Sequence, residues 1–522
     1  MKTSIGVLLL WLLAGQAMAA ICESPSKLKV PPAAQQWNGW GATYSNDRFQ
    51  RQPKLKATDV PRLQLKWAFG FPDVSSAGAQ PAIVGDRVYV GSASGIVYSL
   101  NLNTGCTYWS FDAGTEVRAA VTIAPVGNIP AAFFADTAGT VYSLDANTGV
   151  LRWKHHVDSH PAVRTVGSPK VYAGRVYMPV SSGEEVYGAS PTYQCCKFRG
   201  SIVALDADTG MQMWQSFTIP EPAQPTRLNA IGTQLYGPSG AGVWSSPTLD
   251  IEHRLIYAAT SDSYSDPPAA TSDSVLAFDL SSGAMQWSHQ ATPGDAFNVA
   301  CNLPDQTNCP LAKGTDADFA SPPLLVTLSR DKRLLVLGQK SGMVYALDPD
   351  HQGQQAWSTK VAMGGLLGGV MWGSASDAHN MYVAVSDYVA EGKLNPKAGG
   401  LVALRLSDGQ ELWRTVTSGC GDNAGCSPAQ PAAVSLIPGV VFSGSRDGHM
   451  RAYETSKGQV IWDFDTSRDF QTANGVKARG GSIDSGGPAI ANGMLLTNSG
   501  YAMFGGTAGN VLLAFGVNSA AP

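Results

Sequence analysis

Beyond its first twenty positions the sequence has no apolar run approaching the ~20 residues a membrane helix needs, so no span is expected. It has no CxxCH, which excludes a covalently attached c-type haem on this chain. It also has no cluster of basic residues, and its formal net charge is −4. Nucleic acid is therefore not an expected partner. What the N-terminus does have is Lys2, an apolar run at 5–14 and Ala17-Met18-Ala19. That is the pattern of a secretory leader, residues 1–19, and it implies a soluble mature chain, 20–522, that is periplasmic or secreted.

Export bears on the eight cysteines, which can all be oxidised outside the cytoplasm. Spacing sorts them: Cys301 and Cys309 flank one short loop, Cys420 and Cys426 another, and Cys22 and Cys106 form a long-range pair. Cys195 and Cys196 are then left for each other, although eight cysteines allow many connectivities and pairing elsewhere stays open. A disulfide between neighbours strains the intervening peptide and makes a stiff, flat surface. Ten residues earlier, SSGEE places Glu184 and Glu185 side by side on a turn.

Internal repetition sets the architecture. GIVYSLNLNTGCTYW, ending at Trp109, returns as GTVYSLDANTGVLRW at Trp153 and GSIVALDADTGMQMW at Trp214. Further copies end at Trp287, Trp357, Trp413 and Trp462. Each copy reads as an alternating strand, a tight turn at Asp/Asn-x-x-Thr/Ser-Gly and a second strand carrying Trp. An eighth copy is split: GNVLLAFGV at 509–517 supplies one strand, and LQLKW at 63–67 supplies its Trp-bearing partner. Strand starts give the same count, six of them marked by a Pro that needs no ladder bond there: Pro81, Pro169, Pro247, Pro322, Pro431 and Pro488. The expectation is an all-β, eight-bladed propeller of four-stranded blades, with little helix, closed by pairing its two ends. The repeated Trp reads as packing between blades.

Chemistry then belongs to residues that break the repeat at one rim. Positions before the innermost strands are Arg118, Trp244, Asp318 and Trp372; the stretch after a second strand supplies Ser182, Gly183 and Glu185 and, one blade on, Asp262; Lys340 precedes a Ser-Gly turn. Together they offer carboxylates for a hard cation, cations for an anionic ligand or oxyanion, and flat faces.

From about Trp37 onward the sequence resembles the pyrroloquinoline quinone (PQQ) dependent alcohol dehydrogenases, nearest the polyvinyl alcohol dehydrogenases. The likeness is carried by the repeats, SSGEE with YQCCKFRGS, GGVMWGSASD and GGSIDSGGPAIANGMLLTNSGY. The resemblance implies a quinone held between a Cys195–Cys196 disulfide and Trp244, with Arg118, Ser182, Gly183, Lys340 and Trp372 also binding it. It implies a calcium ion on Glu185, Asp262 and Asp318, with Asp262 standing where the family usually has Asn. Asp318 matches the catalytic base, and Lys340 the residue at the reactive carbonyl; a second alignment puts Asn298, with Asp295 nearby, in the place of Asp318. Ala320 resembles the calcium-type enzymes, whose lanthanide-type relatives carry a second Asp there. The implied activity is oxidation of alcohol groups, secondary hydroxyls of a polymeric polyol above all, with electrons passed to a separate soluble cytochrome c. Insertions at 221–242 and 296–315 are expected to form a lid on the substrate side. A cofactor-free propeller scaffold for protein binding is the alternative; the dehydrogenase reading requires Cys195, Cys196, Trp244, Glu185 and Asp318 to surround one axial cavity.

Overall fold

A computed structural model of the protein describes residues 20–23, 27–390, 393–417, 420 and 426–518; the leader at 1–19 lies outside them. Eight antiparallel sheets follow one another along the chain, spanning 82–112, 122–156, 163–217, 248–290, 324–360, 375–415 and 435–465, with the eighth at 489–516 completed by Gln64–Gly70. Gln64–Gly70 pairs antiparallel with Val511–Gly516, so the ring closes by joining its ends, as the split repeat implies. Two details depart from a uniform four-stranded count. In the third blade, Arg175–Ser182 is long enough to pair with both Lys170–Tyr172 and Val163–Arg164. Three extra hairpins lie outside the blades, one of them joining Gln224–Leu228 to Gln234–Gly237 within the 221–242 insertion.

The repeat has a clear packing reason. The Trp of one blade lies on the turn of the next, and its indole N–H donates to a carbonyl there: Trp109 to Ala146 (3.1 Å), Trp153 to Ala207 (3.1 Å), Trp357 to Leu406 (2.8 Å) and Trp413 to Thr455 (2.9 Å). The turn glycine is what admits the ring. At Gly149, φ is +75° and an added Cβ would sit 2.8 Å from the Trp109 indole, so both backbone and contact demand glycine. The Asp of the same motif caps its turn, as when Asp145 accepts the amides of Asn147 and Thr148.

A segment that the repeat does not announce floors the ring. Residues 37–50 visit the blades in order: Trp37 bonds Ile83, Asn38 bonds Ile123, Thr43 accepts from Lys170, and the carbonyls of Tyr44, Ser45, Asp47 and Arg48 accept from Leu249, Leu325, Ser376 and Leu436. Arg48 is fully buried among them, stacked against Trp37 (5.1 Å) and Trp40 (4.8 Å). Seven of the eight innermost strands thus have a hydrogen-bond partner on this segment, and Trp40 lines the axial cavity.

Candidate active site

The two glutamates of SSGEE do different work. They begin a short helix, Glu184–Tyr187, rather than a turn; Gly183 caps it and Ser182 Oγ accepts the Glu184 amide (3.2 Å). Glu184 is completely buried, and its carboxylate accepts the backbone amides of Lys197 (2.8 Å) and Phe198 (2.7 Å) and the Tyr193 hydroxyl (3.0 Å). It therefore clamps the backbone directly after Cys196. Glu185 points the other way, toward Lys340 and Asp318; burial pushes its carboxyl up to about 7, with Lys340 lowering it and Asp318 raising it.

Those partners lie in a dense acidic centre. Carboxylate oxygens of Asp262, Asp316 and Asp318 all lie within 4.8 Å of one another. Lys340 Nζ donates to Asp316 (2.7 Å) and to Asp318 (2.8 Å), and the second Asp318 oxygen accepts the Asp262 amide (2.6 Å). Burial would lower the Lys340 ammonium, but Asp316, Asp318 and Glu185 hold it well above the usual lysine range. Asp262 and Asp316 are held well above the usual carboxylate range, by burial first; then Asp318 raises Asp262, while for Asp316 Lys340 opposes the rise and Asp318 adds to it. Both oxygens of Asp262 and the second oxygen of Asp316 have no hydrogen-bond partner although buried. Orphaned carboxylate oxygens facing one another inside a protein suit a hard cation.

The flat groups lie in two neighbouring places. Trp244 and Trp372 meet edge to face (5.4 Å) and line a narrow axial cavity with Arg118 and Trp40. Arg118 lies over Trp372 (4.1 Å) and bonds Ser485 Oγ (3.1 Å), while the Trp372 indole donates to Asp484 (2.7 Å), itself paired with Arg446 (2.6 Å). Lys340 Nζ lies 5.3 Å from the centre of the Trp244 ring and so links this cavity to the carboxylates. The Trp244 indole N–H and Ser245 Oγ are buried without partners, as expected where a polar ligand is received.

Cys195 and Cys196 are bonded to each other, and the three other disulfides pair as spacing suggests. The expectation of one open cavity around Cys195, Cys196, Trp244, Glu185 and Asp318 needs correcting: the disulfide is buried in an apolar cluster with Phe198, Leu235 and Tyr264 and does not line the axial cavity. Tyr264 is the reason. Its ring packs in that cluster, and its hydroxyl lies 3.4 Å from Ser261 Oγ and beside Gly242, two residues before Trp244. Asn298 is not among the clustered carboxylates; its amide donates to the Tyr264 carbonyl (3.0 Å) and lies 3.9 Å from Cys195 Sγ. Asp295 borders the centre and accepts the Ala317 amide (2.7 Å).

Asp316 and the clamping role of Glu184 escaped sequence reasoning. The signal for Asp316 was its place two residues from Asp318 in DADF; it sits there with φ +60°, a backbone seldom kept without cause. An open depression on the flank beside His155, His156 and His160 is separate from this chemistry.

Residues 37–308 match the family described as PQQ, glucose/ethanol/alcohol dehydrogenase, β-propeller domain, and residues 199–513 match that of the outer membrane protein assembly factor BamB. The overlap reflects the shared blade repeat, and similarity along the whole chain separates the two. The chain is 43% identical to a polyvinylalcohol dehydrogenase of Pseudomonas sp, over 94% of this chain and 79% of that protein. It is 42% identical to one of Sphingopyxis sp. (strain 113P3), over 93% and 77%. Among solved structures, a europium-containing methanol dehydrogenase superposes with a TM-score of 0.68 at 18% identity, covering 93% of this chain and 98% of that one, a likeness of fold. With Trp244 and the acidic centre at the axis of such a ring, the chain belongs to the family of PQQ-dependent alcohol dehydrogenases that includes the polyvinyl alcohol dehydrogenases.

Proposed function

We propose that this dehydrogenase oxidises secondary hydroxyl groups of a polymeric polyol of the polyvinyl alcohol kind, holds calcium beside its quinone, and passes electrons to a separate soluble cytochrome c. The observation that carries the reading is the buried acidic centre: unpartnered Asp262 oxygens beside Asp318, with one ammonium, Lys340, reaching both Asp318 and the Trp244 face. The substrate class rests on the likeness to two polyvinylalcohol dehydrogenases.

In this reading the donor set fits the groups it is assigned. Glu185, Asp262 and Asp318 offer the oxygen ligands that calcium takes. Trp244 offers a ring face, and Arg118 and Lys340 offer cations for an anionic quinone, with Trp372 holding Arg118 in place. Cys195 and Cys196 are assigned the opposite face, with the ring of Tyr264 alongside. Ser182 and Gly183 serve by starting the short helix that delivers Glu185. A quinone held there would supply the two-electron acceptor, and a cation on these carboxylates would supply the Lewis acid that polarises it.

The protein's own part is proton handling and orientation. Asp318 takes the substrate hydroxyl proton, a general-base role typically contributing about 10²- to 10⁴-fold. Both its oxygens already accept one hydrogen bond, which fixes the carboxylate while leaving a further lone pair on each. Lys340 spends two of its three N–H donors on Asp316 and Asp318 and keeps one for a developing oxyanion. The 221–242 segment, through the Gly240–Ser263 bridge, and the 296–315 loop, pinned by the Cys301–Cys309 disulfide and joined to Ser263 through Ala296, both reach the residue next to Asp262 and are assigned to the substrate side.

Among the described residues no helix is long and apolar enough to cross a membrane. With four disulfides, that fits a periplasmic or secreted location, and the leader reading at 1–19 belongs to the same proposal. The test is dye-linked oxidation by the purified chain loaded with PQQ and calcium. Polyvinyl alcohol and 2-alcohols should outrank short primary alcohols, and reduced cytochrome c should appear when it replaces the dye. A preference for primary alcohols would overturn the substrate assignment.

A further inference from the structure

Arg118 is a cation without a carboxylate of its own. Among the described residues no acidic side chain lies within ion-pair distance of it. Its guanidinium lies over the Trp372 ring (4.1 Å), Nε donates to Ser485 Oγ (3.1 Å), and the Tyr501 hydroxyl is 3.5 Å away. The carboxylate closest in this network, Asp484, is turned to other partners. One of its oxygens accepts the Trp372 indole (2.7 Å) and the Ser485 amide (2.8 Å), and the other accepts Arg446 Nη1 (2.6 Å). Asp484 thus holds both groups on which Arg118 rests, the ring beneath it and the serine beside it. Arg446 is buried, and its other contacts are neutral: Nη2 donates to the Phe504 carbonyl (2.9 Å), and the guanidinium lies 4.0 Å from the centre of the Tyr388 ring. Its charge is directed at Asp484 alone. The backbone at both ends of the network is unusual, since Ser485 (φ +72°) and Phe504 (φ +52°) are non-glycine residues in the left-handed region, which persists where the surroundings fix it. The buried indole and amide N–H groups need an acceptor on this wall. A bare carboxylate there would cancel Arg118 and repel an anionic ligand.

We propose that Asp484 and Arg446 form a positioning pair for the quinone: Asp484 fixes Trp372 and Ser485 around Arg118, and Arg446 neutralises Asp484 so that the charge of Arg118 stays free for a carboxylate of the ligand. The inference rests on the reading of Arg118 and Trp372 as quinone-binding residues and adds the two side chains that set their geometry and their charge. Both act through Arg118 and Trp372. A neutral acceptor in place of Asp484 would need no counter-ion, so the pair predicts that the two charges can be removed together but not singly.

The test compares binding of PQQ with binding of its trimethyl ester, which has the same rings and no carboxylate charge. Quenching of tryptophan fluorescence reads both in the full chain, with calcium chloride present. The unsubstituted chain should bind PQQ at least about tenfold more tightly than the ester. Arg446→Gln leaves Asp484 uncompensated and should cut that preference by about tenfold, with the ester affinity changed by less than about threefold. Arg446→Gln combined with Asp484→Asn removes both charges and keeps an oxygen for the indole and the amide, so the preference should return to within about threefold of the parent. Arg446→Gln combined with Asp484→Leu is equally balanced in charge but offers no acceptor, and it should weaken both ligands by about tenfold or more. No preference for the charged form in the parent, a preference that Arg446→Gln leaves unchanged, or one that Asp484→Asn does not restore would overturn the neutralising role. Equal affinities in the two double variants would overturn the positioning role, and that comparison decides even if Arg446→Gln alone does not fold. A parent chain that binds neither form would overturn the quinone reading itself and this inference with it, whereas the other outcomes bear on this inference alone.

Discussion

Replacing Glu184 should loosen the disulfide segment without touching the reacting atoms. The carboxylate accepts from three donors, the Lys197 and Phe198 amides and the Tyr193 hydroxyl, and all of it is buried. Hydrogen bonds to a charged acceptor are worth about 1.5–3 kcal/mol each, and a buried donor left unpaired costs about 1–3 kcal/mol. The tyrosine can turn toward water, whereas the two amides cannot, so Glu184→Ala should destabilise by about 3–6 kcal/mol. Melting entropy is about 2.1 cal/mol/K per residue, roughly 1 kcal/mol/K for a chain of this size, so Tm should fall by about 3–6 °C. Glu184→Gln keeps the shape and one acceptor oxygen and should lose about half as much. Differential scanning calorimetry reads the first effect. PQQ retention reads the second, because the freed backbone adjoins Cys196. A Glu184→Ala chain melting within about 1 °C of the parent, with unchanged quinone retention, would refute the clamp.

Asp318→Asn should reduce turnover by about 10²-fold or more while PQQ retention survives, as expected for loss of a general base; stopped-flow reduction of the bound quinone would check this. Lys340→Gln leaves Asp316 and Asp318 buried without their counter-charge and should cost about 3–5 kcal/mol in the metal-free chain, read by denaturant unfolding, with much of the loss recovered on adding a cation. Gly149→Ala forces a side chain onto the Trp109 indole at positive φ and should destabilise by about 1–3 kcal/mol, whereas alanine in place of the exposed Asn103 of the neighbouring turn should cost less than about 1 kcal/mol.

The ring was legible because its packing rule is written in repeating letters. A Trp that must donate to the next turn, and a Gly that must receive its ring, recur at fixed spacing, so each copy announces a blade and its neighbour. The strap at 37–50 has no such repeat. Many of its bonds run through backbone carbonyls, which any side chain could accompany, and its buried polar residues, Asn46, Arg48 and Gln50, follow no repeat. At the site, Asp262, Asp318 and Lys340 could be named because each breaks the repeat at one rim. Glu185 was singled out through the family likeness of its turn, whereas the buried role of Glu184 was not, since adjacent residues on a short helix diverge and nothing in the sequence says that one of them turns back onto the backbone after Cys196. Asp316 was hidden beside Asp318, and the separation of the disulfide from the axial cavity depends on Tyr264, whose position comes from the 240–264 backbone contacts.

The measurement that bears most directly on the central claim is reconstitution of the purified chain with PQQ and a metal ion, followed by dye-linked oxidation of polyvinyl alcohol. The account predicts turnover that requires both additions and is lost in Asp318→Asn. Turnover that persists without quinone, or a folded chain that binds no quinone at any metal concentration, would contradict it.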